Sequence, residues 1–435
     1  MVVEATDTAA VLVGMPEFVV LAATEDNGEV WLAVETAAAI VGCAECGTRA
    51  KAKGRRETTV RDLPVAGRPT VVVWRKRRWS CPDPDCDTRT WTEHSESIGA
   101  RAVLTNRARE EICRLVGEDG RSVAEVAREF GVSWDTAMGA VREYGEALVD
   151  DPARISAVTQ LGIDETSWLA ATAEHSTLWA TGLVDIRRGL LVDVIRGREA
   201  AELRKWLSRC SEGWLAGVLT VCIDPFESYR LGLRPHLAHA TVVADAFHIV
   251  RLGNRAVDKV RRRTQQELVG HRGRRGDPLY DIRKILLTGA ERLGERGWDR
   301  LKDALGHGDP RDEVLAAWLA KEHLREVYRV EDPGDAAKLL EGVVAECRDS
   351  GIPELHTLAT TLTQWREPIL NHHRTGGASN GPTEAMNLLI KSIKRVGRGF
   401  TNFDNYRLRL LLHCGVEWKT HRTASMRGRR PPLAA

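Results

Sequence analysis

Four cysteines crowd into one short stretch of the 435-residue chain, as Cys43-x2-Cys46 and Cys81-x4-Cys86. Each pair supplies two thiolates from a tight turn, and Gly47 and Pro82 suit such turns. Two turns brought together make a tetrahedral four-sulfur site, the arrangement preferred by structural zinc. The spacer between the pairs is long enough for a small β-ribbon, and Thr70-Val71-Val72-Val73-Trp74 within it reads as a strand. Residues 41–98 have little apolar core of their own, so one zinc ion is expected to staple them. Zinc binding to such sites is worth about 10–16 kcal/mol. His94 is a possible substitute ligand that two complete pairs make unnecessary.

The other cysteines (Cys113, Cys210, Cys222, Cys347 and Cys414) are scattered in mostly apolar contexts and read as small core residues. Nine cysteines without a secretory signal do not make a disulfide framework. The first twelve residues carry two acids and no base, unlike a signal peptide. No stretch approaches the roughly 20 apolar residues that a membrane helix needs. A cytoplasmic protein with no membrane partner is expected. With 43% hydrophobic and 29% charged residues, the chain reads as globular, with two to four domains.

Charge placement says more than the net charge of +2. Arginine dominates the bases: only 12 of the 63 are lysine. Basic clusters lie at Arg75–Arg78, Arg251–Arg263, Lys391–Arg398 and Arg427–Arg430. Four in one chain point to a polyanionic partner.

Within residues 101–150, Ser122 reads as a helix cap with Glu125 three residues on, a capping-box pattern. Val123, Val126, Ala127 and Phe130 form its apolar stripe. Gly131-Val132-Ser133 breaks that helix and Ser133 caps the next, with Ala137, Val141 and Tyr144 inward. Helix, tight glycine turn and helix make a helix-turn-helix, and a helix over 105–117 completes a trihelical unit. Trp134, Thr136 and Arg142 face outward on the second helix, placed to enter a major groove.

Residues 155–270 alternate strands and helices. A strand through Leu161-Gly162-Ile163 meets Asp164 and Glu165. A hairpin, Leu178–Val184 and Leu190–Ile195, follows. A strand from Val218 then ends at Asp224, and another, Thr241–Ala244, ends at Asp245. The order β-β-β-α-β-α-β-α, with acids closing the first and fourth strands, is ribonuclease-H-like. Clustered carboxylates repel one another unless cations offset them. Two divalent ions about 3.5–4 Å apart are what phosphodiester hydrolysis and strand transfer need, and oxygen ligands suit Mg2+. A third acid is expected from a helix: Pro382 fits its first position with Gly381 as cap, and Glu384, Asn387, Lys391 and Arg395 share a face. Residues 271–375 read as a helical insertion, and 376–420 as C-terminal helices of the same core. Residues 1–40 have no assignment, and the basic tail 421–435 is expected to be disordered.

Together these motifs resemble the ISL3 family of bacterial insertion-sequence transposases over nearly all of residues 40–420. The resemblance rests on the four-cysteine finger, the helix-turn-helix, Gly162-Ile163-Asp164-Glu165, Ala244-Asp245-Ala246-Phe247-His248 and Asn380-Gly381-Pro382-Thr383-Glu384-Ala385-x-Asn387. Lys391-Ser392-Ile393-Lys394-Arg395 and Gly399-Phe400-Thr401-Asn402-Phe403 look like the family's C-terminal block. The resemblance implies a DDE transposase, nucleoid-associated in a bacterial cytoplasm. It would act on double-stranded DNA, both terminal inverted repeats and target, as a homo-oligomer on DNA.

Asp164, Asp224 and Glu384 match the three acids that would hold two Mg2+ or Mn2+ ions. Asp245 and His248 match an acid-x2-His signature of related transposases. Cys222-Ile223-Asp224-Pro225-Phe226 departs from the family's Asp-Met pattern, which keeps Asp245 open as the second ligand. Asp224 is preferred because it ends the fourth strand and Tyr229 is spaced as in the family. Lys391, Lys394, Arg395 and Arg398 are expected to hold DNA phosphates beside the active site. Two other readings stand: an inactive or domesticated transposase acting as a zinc-finger and helix-turn-helix regulator, and a nuclease or resolvase without strand transfer.

Overall fold

Strand pairing and helix packing divide the chain into two units. One takes residues up to Arg154 together with those from Ile390 onward; the other runs from Ile155 to Leu389. The computed structural model describes residues 13–37, 39–155 and 158–418. The tail from 421 on, expected to be disordered, lies outside the described residues.

The first unit opens on a hairpin inside the segment left without assignment. β1 (Phe18–Asp26) and β2 (Glu29–Thr36) pair antiparallel across Asn27-Gly28, with Asn27 at φ 51°. Asn-Gly adopts the left-handed turn that matches strand twist. β3 (Lys51–Val65) and β4 (Arg68–Ser80) form the long ribbon expected between the cysteine pairs, and β5 (Thr90–Thr92) adds to β4. The sheet order is β1-β2-β4-β3, with β2 parallel to β4.

This pairing completes from outside the small core expected of residues 41–98. Residues 18–36 supply Phe18, Val20, Leu32 and Val34, which pack with Val60, Val72 and Trp74 into a buried cluster. Phe18 meets Trp74 edge-on at 5.4 Å. The cysteines form a separate small cluster against Trp91.

Helices Asn106–Gly117, Val123–Glu129 and Trp134–Val149 follow. Thr105, Ser122 and Ser133 each accept a backbone N–H at their helix starts. The reciprocal half of the capping box does not form: the Glu125 carboxylate lies 3.4 Å from Arg121 instead. Gly131 makes the turn at φ 63°. Val123, Val126, Ala127, Phe130, Ala137 and Val141 are all buried, and Tyr144 is half-buried. The last described helix, Phe403–Cys414, packs on the first and third of these. It therefore lies with the trihelical part of the first unit. Its buried row, including Leu408, Leu411 and Leu412, gives the physical reason.

The second unit carries a five-stranded sheet of order β10-β9-β6-β7-β8. Its strands are β6 (Gln160–Leu169), β7 (Leu178–Asp185), β8 (Leu190–Arg196), β9 (Thr220–Ile223) and β10 (Thr241–Ala244). β6, β7 and β8 pair antiparallel, while β9 and β10 run parallel to β6. This is the ribonuclease-H-like arrangement. Strand β6 does not stop at Asp164. Its parallel pairing with β9 ends at Ile163–Ile223, but β7 keeps pairing with it as far as Leu169. Helices from Pro278 to Arg374 follow, packed with helix Ala246–Val269 in one apolar core.

Candidate active site

The parallel register brings the acids together. Ile163, Ile223 and Ala244 pair side by side, and the next residue on each strand is Asp164, Asp224 or Asp245. Three aspartates thus follow the last rung of three neighbouring strands. The fourth acid comes from helix Gly381–Val396. That helix begins one residue earlier than expected: the Asn380 carbonyl accepts the N–H groups of Thr383 and Glu384, both at 3.0 Å.

Helix and sheet meet closely because Gly162 has no side chain. A Cβ there would lie 2.0 Å from Thr383 Oγ1 and 2.9 Å from Asn380 Oδ1. Asn380 Nδ2 donates to the Ile163 carbonyl at 3.2 Å, and Asn387 Nδ2 donates to Asp164 Oδ2 at 2.6 Å.

His248 sits among the carboxylates. Its Nε2 is 2.9 Å from Asp224, its Nδ1 3.0 Å from Asp245 and 3.8 Å from Glu384. Burial alone would lower its pKa, but the hydrogen bonds to Asp224 and Asp245 outweigh this and push it up to about 10. Asp164 is raised to about 7, first by burial and then by the Asp224 charge. Asp245 behaves differently. One oxygen caps the helix from Ala246 by accepting the His248 N–H, and the other accepts the Asn380 N–H. These bonds, with that of the His248 ring, outweigh its burial and lower its pKa.

The donors suit a divalent cation. Asp224, Asp245 and His248 offer ligand atoms within 4.8 Å of one another. Asp224 Oδ1 is buried with no hydrogen-bond partner, a costly state for a carboxylate oxygen that a cation would relieve. Asp245 has both oxygens committed to hydrogen bonds.

Glu165, given no role from sequence, accepts from the buried Tyr229 hydroxyl at 3.2 Å and lies 3.7 Å from Arg198. Its place directly after Asp164 was the available signal.

In the first unit, Cys43 and Cys86 have their sulfurs 3.8 Å apart, and Cys46 and Cys81 3.5 Å. All four lie within 4.8 Å of one another. Four thiolates at ~2.3 Å from a tetrahedral ion would be separated by about 3.8 Å, so the set fits zinc. Hydrogen bonds with Thr48 lower the Cys46 thiol to about 7, while burial pushes Cys86 up to about 12.

The expected DNA-contacting residues divide. Trp134 is 44% exposed. The Thr136 and Ser133 hydroxyls lie 2.9 Å apart. Arg142 is exposed but donates to Asn405 Oδ1 at 2.9 and 3.2 Å, so it is held by the C-terminal helix. Arg395 and Arg398 line a groove with Trp134; Lys391 and Lys394 do not.

A ribonuclease-H-like sheet with aspartates aligned on three strands, in a chain that also carries a four-cysteine ribbon and a helix-turn-helix, defines a transposase. Three family profiles agree in order along the sequence. The transposase DDE profile of the ISL3 family matches residues 161–410. The zinc-finger of transposases IS204/IS1001/IS1096/IS1165 matches 41–95, and the helix-turn-helix domain of transposase family ISL3 matches 93–145. The chain belongs to the ISL3 family of transposases. No curated protein matches it. Among the described residues, no helix is long and apolar enough to cross a membrane.

Proposed function

We propose that this transposase binds the inverted-repeat ends of its own element and catalyses cleavage and strand transfer of DNA, with Asp164, Asp224 and Glu384 holding two Mg2+ or Mn2+ ions. The observation that carries this reading is the buried, partnerless Asp224 Oδ1 in a row of aspartates. Bound divalent ions supply positive charge to activate the attacking oxygen and to stabilise the leaving one. The chain's own residues prepare the site. Asn387 orients Asp164, and Asp245 holds the start of helix Ala246–Val269 against Asn380. His248 bridges Asp224 and Asp245 and keeps their carboxylates in place.

Trp134, Thr136 and Arg142 would face the end DNA, with Lys391, Lys394, Arg395 and Arg398 on phosphates. The four cysteines would hold one zinc that shapes the ribbon. Work on two ends at once calls for more than one copy of the chain on DNA.

The deciding experiment uses duplexes taken from either side of the gene. Asp164→Asn, Asp224→Asn and Glu384→Gln should each abolish cleavage and strand transfer while end binding persists. Asp245→Asn should reduce activity less. Full activity in Glu384→Gln would leave that residue as a helix-start acid only. A dead Asp245→Asn beside an active Asp224→Asn would exchange their roles.

A further inference from the structure

A groove of about 670 Å3 lies in the first unit, against both helices of the helix-turn-helix. One wall is the start of helix Val123–Glu129 with Arg128, and Trp134 from the following helix. The other is the segment from Arg395 to Asn405. Four arginines line it, Arg128, Arg395, Arg398 and Arg409, against one acid, Glu125. Among the described residues, Arg128, Arg395 and Arg398 make no ion pair.

Arg409 at its floor is 3% exposed. Its guanidinium donates to the Arg121 carbonyl at 2.8 Å, while its Nε has no hydrogen-bond partner. Burial without an acidic partner lowers its pKa to about 10. A cleft lined mainly by one sign of charge concentrates counter-ions, and a buried unpaired cation gains most from an anion brought near. Phe400 and Trp134 add aromatic surface beside the charge. Asn405, also in the lining, is bonded to Arg142 on the second helix of the motif, so the C-terminal segment is fastened to the recognition helices.

We propose that this groove is a phosphate-binding clamp for duplex DNA, in which Arg395 and Arg398 of the C-terminal segment act with Arg128 of the helix-turn-helix to hold the backbone of the element's end during recognition. The proposal rests on the end-binding reading above and changes what the C-terminal arginines do: they serve recognition before any chemistry. The duplex backbone is favoured over a free nucleotide because Arg128 and Trp134 of the lining belong to the helix-turn-helix, the part of the chain that matches the family's helix-turn-helix domain.

The test is the salt dependence of binding by the full chain, in buffer without added divalent cation. The probes are duplexes from either side of the gene and a scrambled duplex of equal length. Each lost phosphate contact should reduce the slope of log K against log salt by about 0.9. Arg395→Gln/Arg398→Gln should therefore flatten the slope by about 2 and weaken end binding at least tenfold, with an unchanged melting temperature. Arg395→Lys/Arg398→Lys should restore most of the slope. Arg292→Gln, an exposed charge of the helical insertion, should leave it unchanged.

A double variant with the wild-type slope overturns the clamp while leaving end binding intact. An equal loss in Arg292→Gln overturns it by making the effect generic to surface charge. Competition by a mononucleotide as effective as by duplex would assign the groove to a small ligand instead. A wild-type chain that does not distinguish end from scrambled duplex overturns the end-binding reading, and the clamp's role in end recognition with it.

Discussion

Asn387 donates a 2.6 Å hydrogen bond to Asp164 Oδ2, joining a helix to a strand 223 residues away in sequence. The bond is buried, and it ends on a carboxylate whose other oxygen accepts the Glu165 N–H. Asp164 is thereby held in one orientation, although burial and Asp224 oppose its charge.

Removing that donor has a measurable cost. A hydrogen bond to a charged group contributes about 1.5–3 kcal/mol. Asn387→Ala should destabilise the second unit by an amount in that range and slow cleavage, with end binding intact. Chemical denaturation without added divalent cation measures the first effect. An unchanged midpoint would mean that the amide holds nothing in place.

Gly162→Ala tests the close approach of helix and sheet. The new methyl would overlap Thr383 Oγ1, and overpacking of this kind costs about 1–3 kcal/mol. Adding Thr383→Ala removes the overlapping hydroxyl, so the double variant should recover part of the loss. Strict additivity of the two changes in a double-mutant cycle would show that the residues do not touch.

Zinc removal should act locally. The apolar cluster of Phe18, Val34, Val72 and Trp74 is separate from the cysteines. A chelator, or Cys43→Ser/Cys46→Ser, should free amides at 43–50 and 81–92 to hydrogen exchange while those around Val34 and Val72 stay protected. Metal analysis should find about one zinc per chain. Exchange throughout the sheet would mean that the ion holds the whole ribbon together.

His373 gives a pH dependence with a definite sign. Burial first, and the neighbouring His372 second, lower its pKa below the ordinary value. Its Nε2 is buried without a partner, and its ring stacks at 6.1 Å on Tyr328. The unfolded chain therefore takes up this proton first as pH falls through about 6.5, and stability is lost there. His373→Gln should lose less melting temperature than the wild type between about pH 7 and pH 5.5. Parallel pH profiles for the two proteins would assign the proton elsewhere.

Much of the site was legible because its signals are local. Paired cysteines, serine caps around Gly131, and the aspartates directly after the short strands Thr220–Ile223 and Thr241–Ala244 are each read within ten residues, since turn, cap and strand preferences act over that distance. The Asn27-Gly28 hairpin went unread in a segment without clear periodicity, and its strand pair supplies part of the ribbon's core. Glu165 stood beside Asp164 in the sequence, but its partners Tyr229 and Arg198 are distant, so only folding assigns it a role.

The sequence by itself determined the paired cysteines, the capped helices around Gly131 and the aspartates that close Thr220–Ile223 and Thr241–Ala244, because turn, cap and strand preferences act over a few residues. The tertiary structure alone decided which partners those groups meet. It committed Asp245 to a helix cap and left Asp224 with a free oxygen, because strand register sets which carboxylate faces the Asn380 amide. It turned Arg142 toward Asn405 and grouped Arg395 and Arg398 with Arg128, because the apolar row of the last helix packs on the trihelical unit. Such choices depend on burial and contact between segments hundreds of residues apart, which no local preference encodes.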